Sequence, residues 1–160
     1  MNLITRRNAI FGALALGAAG AAAYVGLRDN AGTAQYFATD GVALRGADPV
    51  AYFTQDKPVI GRAEHAYDWA GVTWHFANAA HRDMFRADPT AFAPQYGGYC
   101  AWAIAAKQKL FSIQPKNWAI VDGKLYLNFS DSVEKTWNTD RAGFIQKADA
   151  VWPVVKKLLG

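Results

Sequence analysis

Cysteine is nearly absent: Cys100 is the only one in 160 residues. No intramolecular disulfide can form, so the fold must rest on packing. The thiol stays free, pairs with another molecule or binds a ligand. The three histidines, His65, His75 and His81, fall into no H-x-x-H or H-E-x-x-H spacing. There is no G-x-S-x-G, P-loop or dinucleotide fingerprint, which removes the hydrolase, kinase and Rossmann readings and any nucleotide cofactor. No run of Lys and Arg, and no basic stripe interleaved with aromatics, points to nucleic acid.

Acidic residues are missing before Asp29, and residues 9–27 carry no charge at all. Arg6 and Arg7 precede this Ala- and Gly-rich run, a pattern that resembles a twin-arginine export signal. Ala21, Ala22 and Ala23 supply the small residues a signal peptidase reads. Residues 1–23 are therefore read as an export signal cleaved near Tyr24, and the mature chain as periplasmic. The rivals are Sec export and retention as a membrane anchor; against the anchor, so many Ala and Gly make the run weakly hydrophobic. The whole chain has 17 basic and 13 acidic side chains, and without Arg6 and Arg7 the balance is 15 to 13. Half of the net charge of +4 therefore belongs to the signal, and the rest of the chain is near neutrality.

What is present is apolar and aromatic: 52% of residues are hydrophobic and six are tryptophan, enough for one compact domain. Residues 24–40 read as a linker and residues 41–160 as the domain. In "GADPVAYF", Pro49 fixes φ and Asp48 closes the turn, leading into a strand or a single helical turn. Around Ala70 and Gly71, two aromatic segments read as a hairpin, in which Val72, Trp74 and Phe76 share one face and His75 takes the other. Asn78 caps a helix that turns Met84 and Phe85 toward the hairpin, and Asp88-Pro89 stops it. A short helical turn and a glycine break follow, then an alanine-rich helix starting at or near Cys100.

Asp122-Gly123 sits between two apolar runs and predicts a type I′ hairpin. Two further helices close the chain. Asp131 and Glu134 lie at capping-box spacing in the first, and Phe144, Ala148, Val151 and Trp152 form a stripe on the second. Two hairpins packed on about four helices, without strict alternation, give the α+β class. Tyr52, Tyr96 and Tyr99 read as core aromatics with satisfied hydroxyls.

The segments "GADPVAYF", "YDWAGVTWHFANAAHRDMFRADPTAFAPQYGGYCAWA", "VDGKLYLNFS" and "ADAVWP" together resemble the exported bacterial YHS domain-containing (seleno)protein family, over about residues 44–153. Small YHS modules are taken to bind metal through cysteines, one after Asp-Pro-Val and one after the aromatic strand. Ala51 and Ala77 stand at those places here, so a two-cysteine site does not carry over. The family's (seleno) label implies selenocysteine in some relatives, at the position of Cys100.

Three functions follow as expectations. The first is metal handling, with Cu(I) or Zn(II) held by Cys100 together with His75 or His81. The second is a thiol redox protein or enzyme with Cys100 as its reactive residue, a thiolate favoured by the N–H groups of a helix start and approached closely at Gly97 and Gly98. The third is a module that docks a periplasmic protein partner, with Cys100 buried as a small hydrophobe. The partner is accordingly a metal ion, a small molecule or a protein. A membrane is involved only through the N-terminal segment.

Overall fold

The computed structural model describes residues 35–160. The export signal and most of the linker lie outside the described residues. Two short strands open the fold, β1 (Ala38–Thr39) and β2 (Val42–Ala43), followed by helix α1 (Pro49–Thr54). Strands β3 (Arg62–Trp69) and β4 (Val72–Phe76) form the first long hairpin. Helices α2 (Ala79–Ala87), α3 (Pro89–Phe92) and α4 (Ala101–Lys107) come next. The second hairpin, β5 (Trp118–Val121) and β6 (Lys124–Leu127), precedes α5 (Asp131–Trp137) and α6 (Arg141–Val155). The architecture is α+β, as expected, with six α-helices among the described residues because α1 and α3 are separate short turns of helix.

The larger sheet has the order β1-β2-β4-β3 and the smaller pairs β5 with β6. The three hairpin turns of the two sheets share one chemistry. Asp40-Gly41, Ala70-Gly71 and Asp122-Gly123 all have positive φ at both positions, the conformation whose twist matches the flanking strands. The first of these pairs lies at the boundary between the stretch read as linker and the domain. That boundary shifts accordingly: Phe37 is buried in the main core and Tyr36 packs on Trp69 and Trp74. Strand β2 then joins β4 in parallel through Val42 and Thr73.

Alternation along β4 buries Val72, Trp74 and Phe76 and leaves His75 on the other face. Helix α2 begins where the Asn78 side chain accepts the His81 N–H at 2.9 Å. Phe85 is fully buried against Trp74 and Phe76, but Met84, expected beside it, is exposed. Successive helical residues lie about 100° apart, so only one of the two can face the sheet. The N-cap of α5 is Ser130, whose Oγ accepts the Val133 N–H, and not the expected Asp131. Asp131 and Glu134 instead both accept from Asn117 Nδ2.

Two apolar clusters share α4. Cys100 and Ala103 belong to the first, with Trp74, Phe76, Leu125 and Leu127. Ala101 and Ile104 belong to the second, with Tyr126, Trp137, Ala148 and Val155. A helix pressed from both sides needs small side chains for close approach, which accounts for its alanines.

One buried carboxylate joins three elements. Asp48 is fully buried at the N-cap of α1, and its Oδ1 accepts the N–H groups of Val50 at 2.9 Å and Ala51 at 3.3 Å. Its Oδ2 accepts from Ala77 N, just past β4, at 2.9 Å and from His81 Nδ1, on α2, at 2.6 Å. Asp48→Ala would strand three N–H groups and the imidazole. The expected loss of stability is about 3–5 kcal/mol by urea denaturation; a loss within about 1 kcal/mol, the range of an ordinary substitution, would contradict this role.

Candidate functional site

Cys100 lies at the N-cap of α4 and has no exposed surface. The chain holds it on both sides: its N–H donates to the Phe111 carbonyl at 3.1 Å, and its carbonyl accepts from Ile104 N at 3.1 Å. The preceding glycines serve the fold. Tyr96, Gly97 and Gly98 all have positive φ, and a Cβ on Gly98 would lie 2.6 Å from Leu44 Cδ2. A Cβ on Gly97 would collide with the Gln35 carbonyl, and the Gly97 carbonyl receives the Phe37 N–H at 2.7 Å. The close approach anticipated at these glycines is therefore made by the chain's own residues 35–44.

The polar neighbour of the sulfur is a buried carboxamide. Asn128 follows β6 and is itself fully buried. Its backbone continues the β5–β6 pairing, with Asn128 N donating to the Asn117 carbonyl at 2.8 Å and its own carbonyl accepting from Gln114 N at 3.0 Å. Its side-chain Oδ1 accepts the Cys100 thiol at 3.7 Å and the Trp102 N–H at 3.2 Å. Its Nδ2 has no hydrogen-bond partner among the described residues. An orphaned amide donor at zero exposure costs about 1–3 kcal/mol; Asn117 Oδ1 and Trp137 Nε1 are likewise buried without a partner, but only Asn128 also contacts the sole thiol.

Burial pushes the Cys100 thiol above its ordinary value, while the N–H groups of Ala103, Phe129 and Trp102 act in the opposite direction and are outweighed. This corrects the expectation of a thiolate favoured by the helix start. The sequence marks where α4 begins and says nothing of the desolvation that the two clusters impose.

His75 and His81 do not join Cys100. His81 Nδ1 donates to Asp48 Oδ2, and its Nε2 lies 3.3 Å from Thr54 Oγ1, so both ring nitrogens are engaged. His75 lies on the sheet face away from the Cys100 cluster, where a Cβ on Gly46 would stand 3.8 Å from its Nδ1. His65 is half-buried near Glu64, 3.6 Å from its Oε1. Among the described residues no three His, Cys, Asp or Glu side chains gather as a metal ligand set. Cys100, His75 and His81 are therefore not gathered as one three-residue ligand set among the described residues. No helix among the described residues is long and apolar enough to cross a membrane.

Tyr52 and Tyr96 behave as expected from sequence, whereas Tyr99 is half-buried with its ring against Phe37. Tyr52 OH donates to the Pro115 carbonyl at 2.8 Å and Tyr96 OH to Asp149 Oδ1 at 2.8 Å. Burial is the main cause that raises both hydroxyls above their ordinary range. Tyr96 also lines an open cleft of about 250 Å³ with Tyr36, Pro94, Gln95, Trp152 and Lys156; Cys100 is not in its lining.

Asn128 escaped the sequence reading. Its signal was a single amide inside the apolar run Leu125, Tyr126, Leu127 and Phe129, where an unpaired polar side chain is costly. Compared with protein-family models, curated proteins and solved structures, the chain matches none.

A thiol raised by folding destabilises the fold at alkaline pH. The protonated form is the one the folded state favours, so Cys100's contribution is complete below the ordinary value of 9.0 and is lost as pH rises from there toward the folded value. Between pH 9 and 10, where the raised tyrosines contribute equally to both proteins, stability should fall faster in the wild type than in Cys100→Ala. The slope difference is bounded at about 1.4 kcal/mol per pH unit. Parallel pH profiles from urea denaturation would contradict the burial of this thiol.

Proposed function

We propose that this chain is an exported, thiol-based redox protein of the YHS-like kind, with Cys100 as the residue that is oxidised. One observation carries the reading. The only sulfur nucleophile of the chain is placed against a buried carboxamide and three backbone N–H groups, where a structural cysteine would need only apolar neighbours. The backbone N–H groups can stabilise negative charge on sulfur or on an oxygen attached to it, while the carboxamide accepts the thiol proton through Oδ1. The resemblance to the exported (seleno)protein branch supports the same residue, and Arg6 and Arg7 ahead of an uncharged run support export.

Burial sets the character of such a site. With its thiol raised and fully enclosed, Cys100 is slow toward bulky reagents and is reached by small neutral oxidants through local opening. The chain holds no second cysteine, so an oxidised Cys100 is reduced by a thiol from another molecule. A guarded, reversible thiol suits response to an oxidant better than rapid turnover.

The test is oxygen uptake by the folded protein. After hydrogen peroxide treatment, intact mass should show the gain of one oxygen atom, a sulfenic-acid trap should label Cys100, and Cys100→Ser should show neither. Oxidation that occurs only in denaturant would overturn the reading and leave Cys100 as a packing residue.

A further inference from the structure

We infer that the Asn128 carboxamide is the group that binds the transferred oxygen when Cys100 is oxidised, and that the oxidant is a hydroperoxide of the size of hydrogen peroxide. The inference rests on the redox reading above and adds to it a second residue and a substrate class.

The carboxamide divides its work between two ends. Oδ1 is committed, accepting the Cys100 thiol at 3.7 Å and the Trp102 N–H at 3.2 Å. The Trp102 bond also fixes which end is which, because a flipped amide would set an N–H against an N–H. Nδ2 is thereby left as a donor with no acceptor among the described residues, in a group with no exposed surface. The sulfur contacts the Oδ1 end of this carboxamide, the Nδ2 end has no acceptor, and an oxygen added to the sulfur supplies one. The reduced protein then carries the cost of an unmade hydrogen bond, and oxidation relieves it.

The chemistry balances with the peroxide alone. The sulfur of Cys100 attacks one peroxide oxygen, an S–O bond forms and the O–O bond breaks. Sulfur gives up two electrons, and the departing hydroxide takes the thiol proton and leaves as water. The product is a sulfenic acid whose oxygen accepts from Asn128 Nδ2. Size selection follows from enclosure. Leu125, Leu127, Trp74 and Phe76 are buried in the same cluster as the sulfur, and a close-packed wall of this kind admits a molecule near the size of water far more readily than an aryl hydroperoxide.

Asn128→Asp is the informative variant, since it keeps an acceptor for the thiol and for Trp102 N–H and replaces the Nδ2 donor with oxygen. Sulfenic acid formation by hydrogen peroxide should slow roughly tenfold, about what one hydrogen bond is worth. The wild type should react far faster with hydrogen peroxide than with cumene hydroperoxide. A second readout uses the wild type alone: the Asn128 side-chain NH2 resonance in a ¹H–¹⁵N spectrum should move downfield on oxidation. If Cys100 is oxidised while that resonance stays in place, or if both hydroperoxides react alike, this inference is overturned and the redox reading survives. If folded Cys100 takes up no oxygen, both fall.

Discussion

Asp48 is the constraint on which the arrangement of the first half of the domain depends. A carboxylate with no exposure is tolerated only when its lone pairs are filled, and here four donors fill them. Two of those donors begin α1, one fixes the chain just beyond β4 and one fixes α2. The hairpin and the two helices are therefore held at one angle by one residue. Aromatic packing of Phe85 on Trp74 and Phe76 completes the joint. The same economy ties up His81, which anchors the fold and leaves no imidazole for the thiol.

Helix α4 carries the other decisive constraint. Sharing it between two apolar clusters requires alanines along its length and places Cys100 at full burial. The cost of that burial is visible in the raised thiol, and its chemical interest lies in Asn128, brought in from the end of the second hairpin. An apolar residue at position 128 would remove the orphaned Nδ2 but would strand the Trp102 N–H that Oδ1 accepts. Retaining an amide there at the price of an unmade bond makes sense for a sulfur whose chemical state changes.

Local chemistry was legible in the sequence. Asp122-Gly123 marked its hairpin, Asn78 its helix, Asp88-Pro89 a helix end, and the alternation from Val72 to Phe76 assigned His75 to the outer face. What escaped were pairings over distance. Two-residue strands have no periodicity to detect, so β1 was hidden at the end of the stretch that reads as linker and β2 just beyond it, although Asp40-Gly41 carried the same turn signal as Asp122-Gly123. The Asp48–His81 and Cys100–Asn128 contacts span 33 and 28 residues, and no spacing rule connects them. Desolvation is equally invisible in a linear pattern. That is why a helix start near Cys100 suggested a lowered thiol where the packed structure raises it.

The central claim is that Cys100 is a chemical site within the folded protein, served by the carboxamide beside it. The most direct measurement is a crystal structure of protein treated with hydrogen peroxide. The account predicts one oxygen on Cys100 Sγ within hydrogen-bonding distance of Asn128 Nδ2, in an otherwise unchanged core. An unmodified thiol after treatment that oxidises the unfolded chain would contradict it.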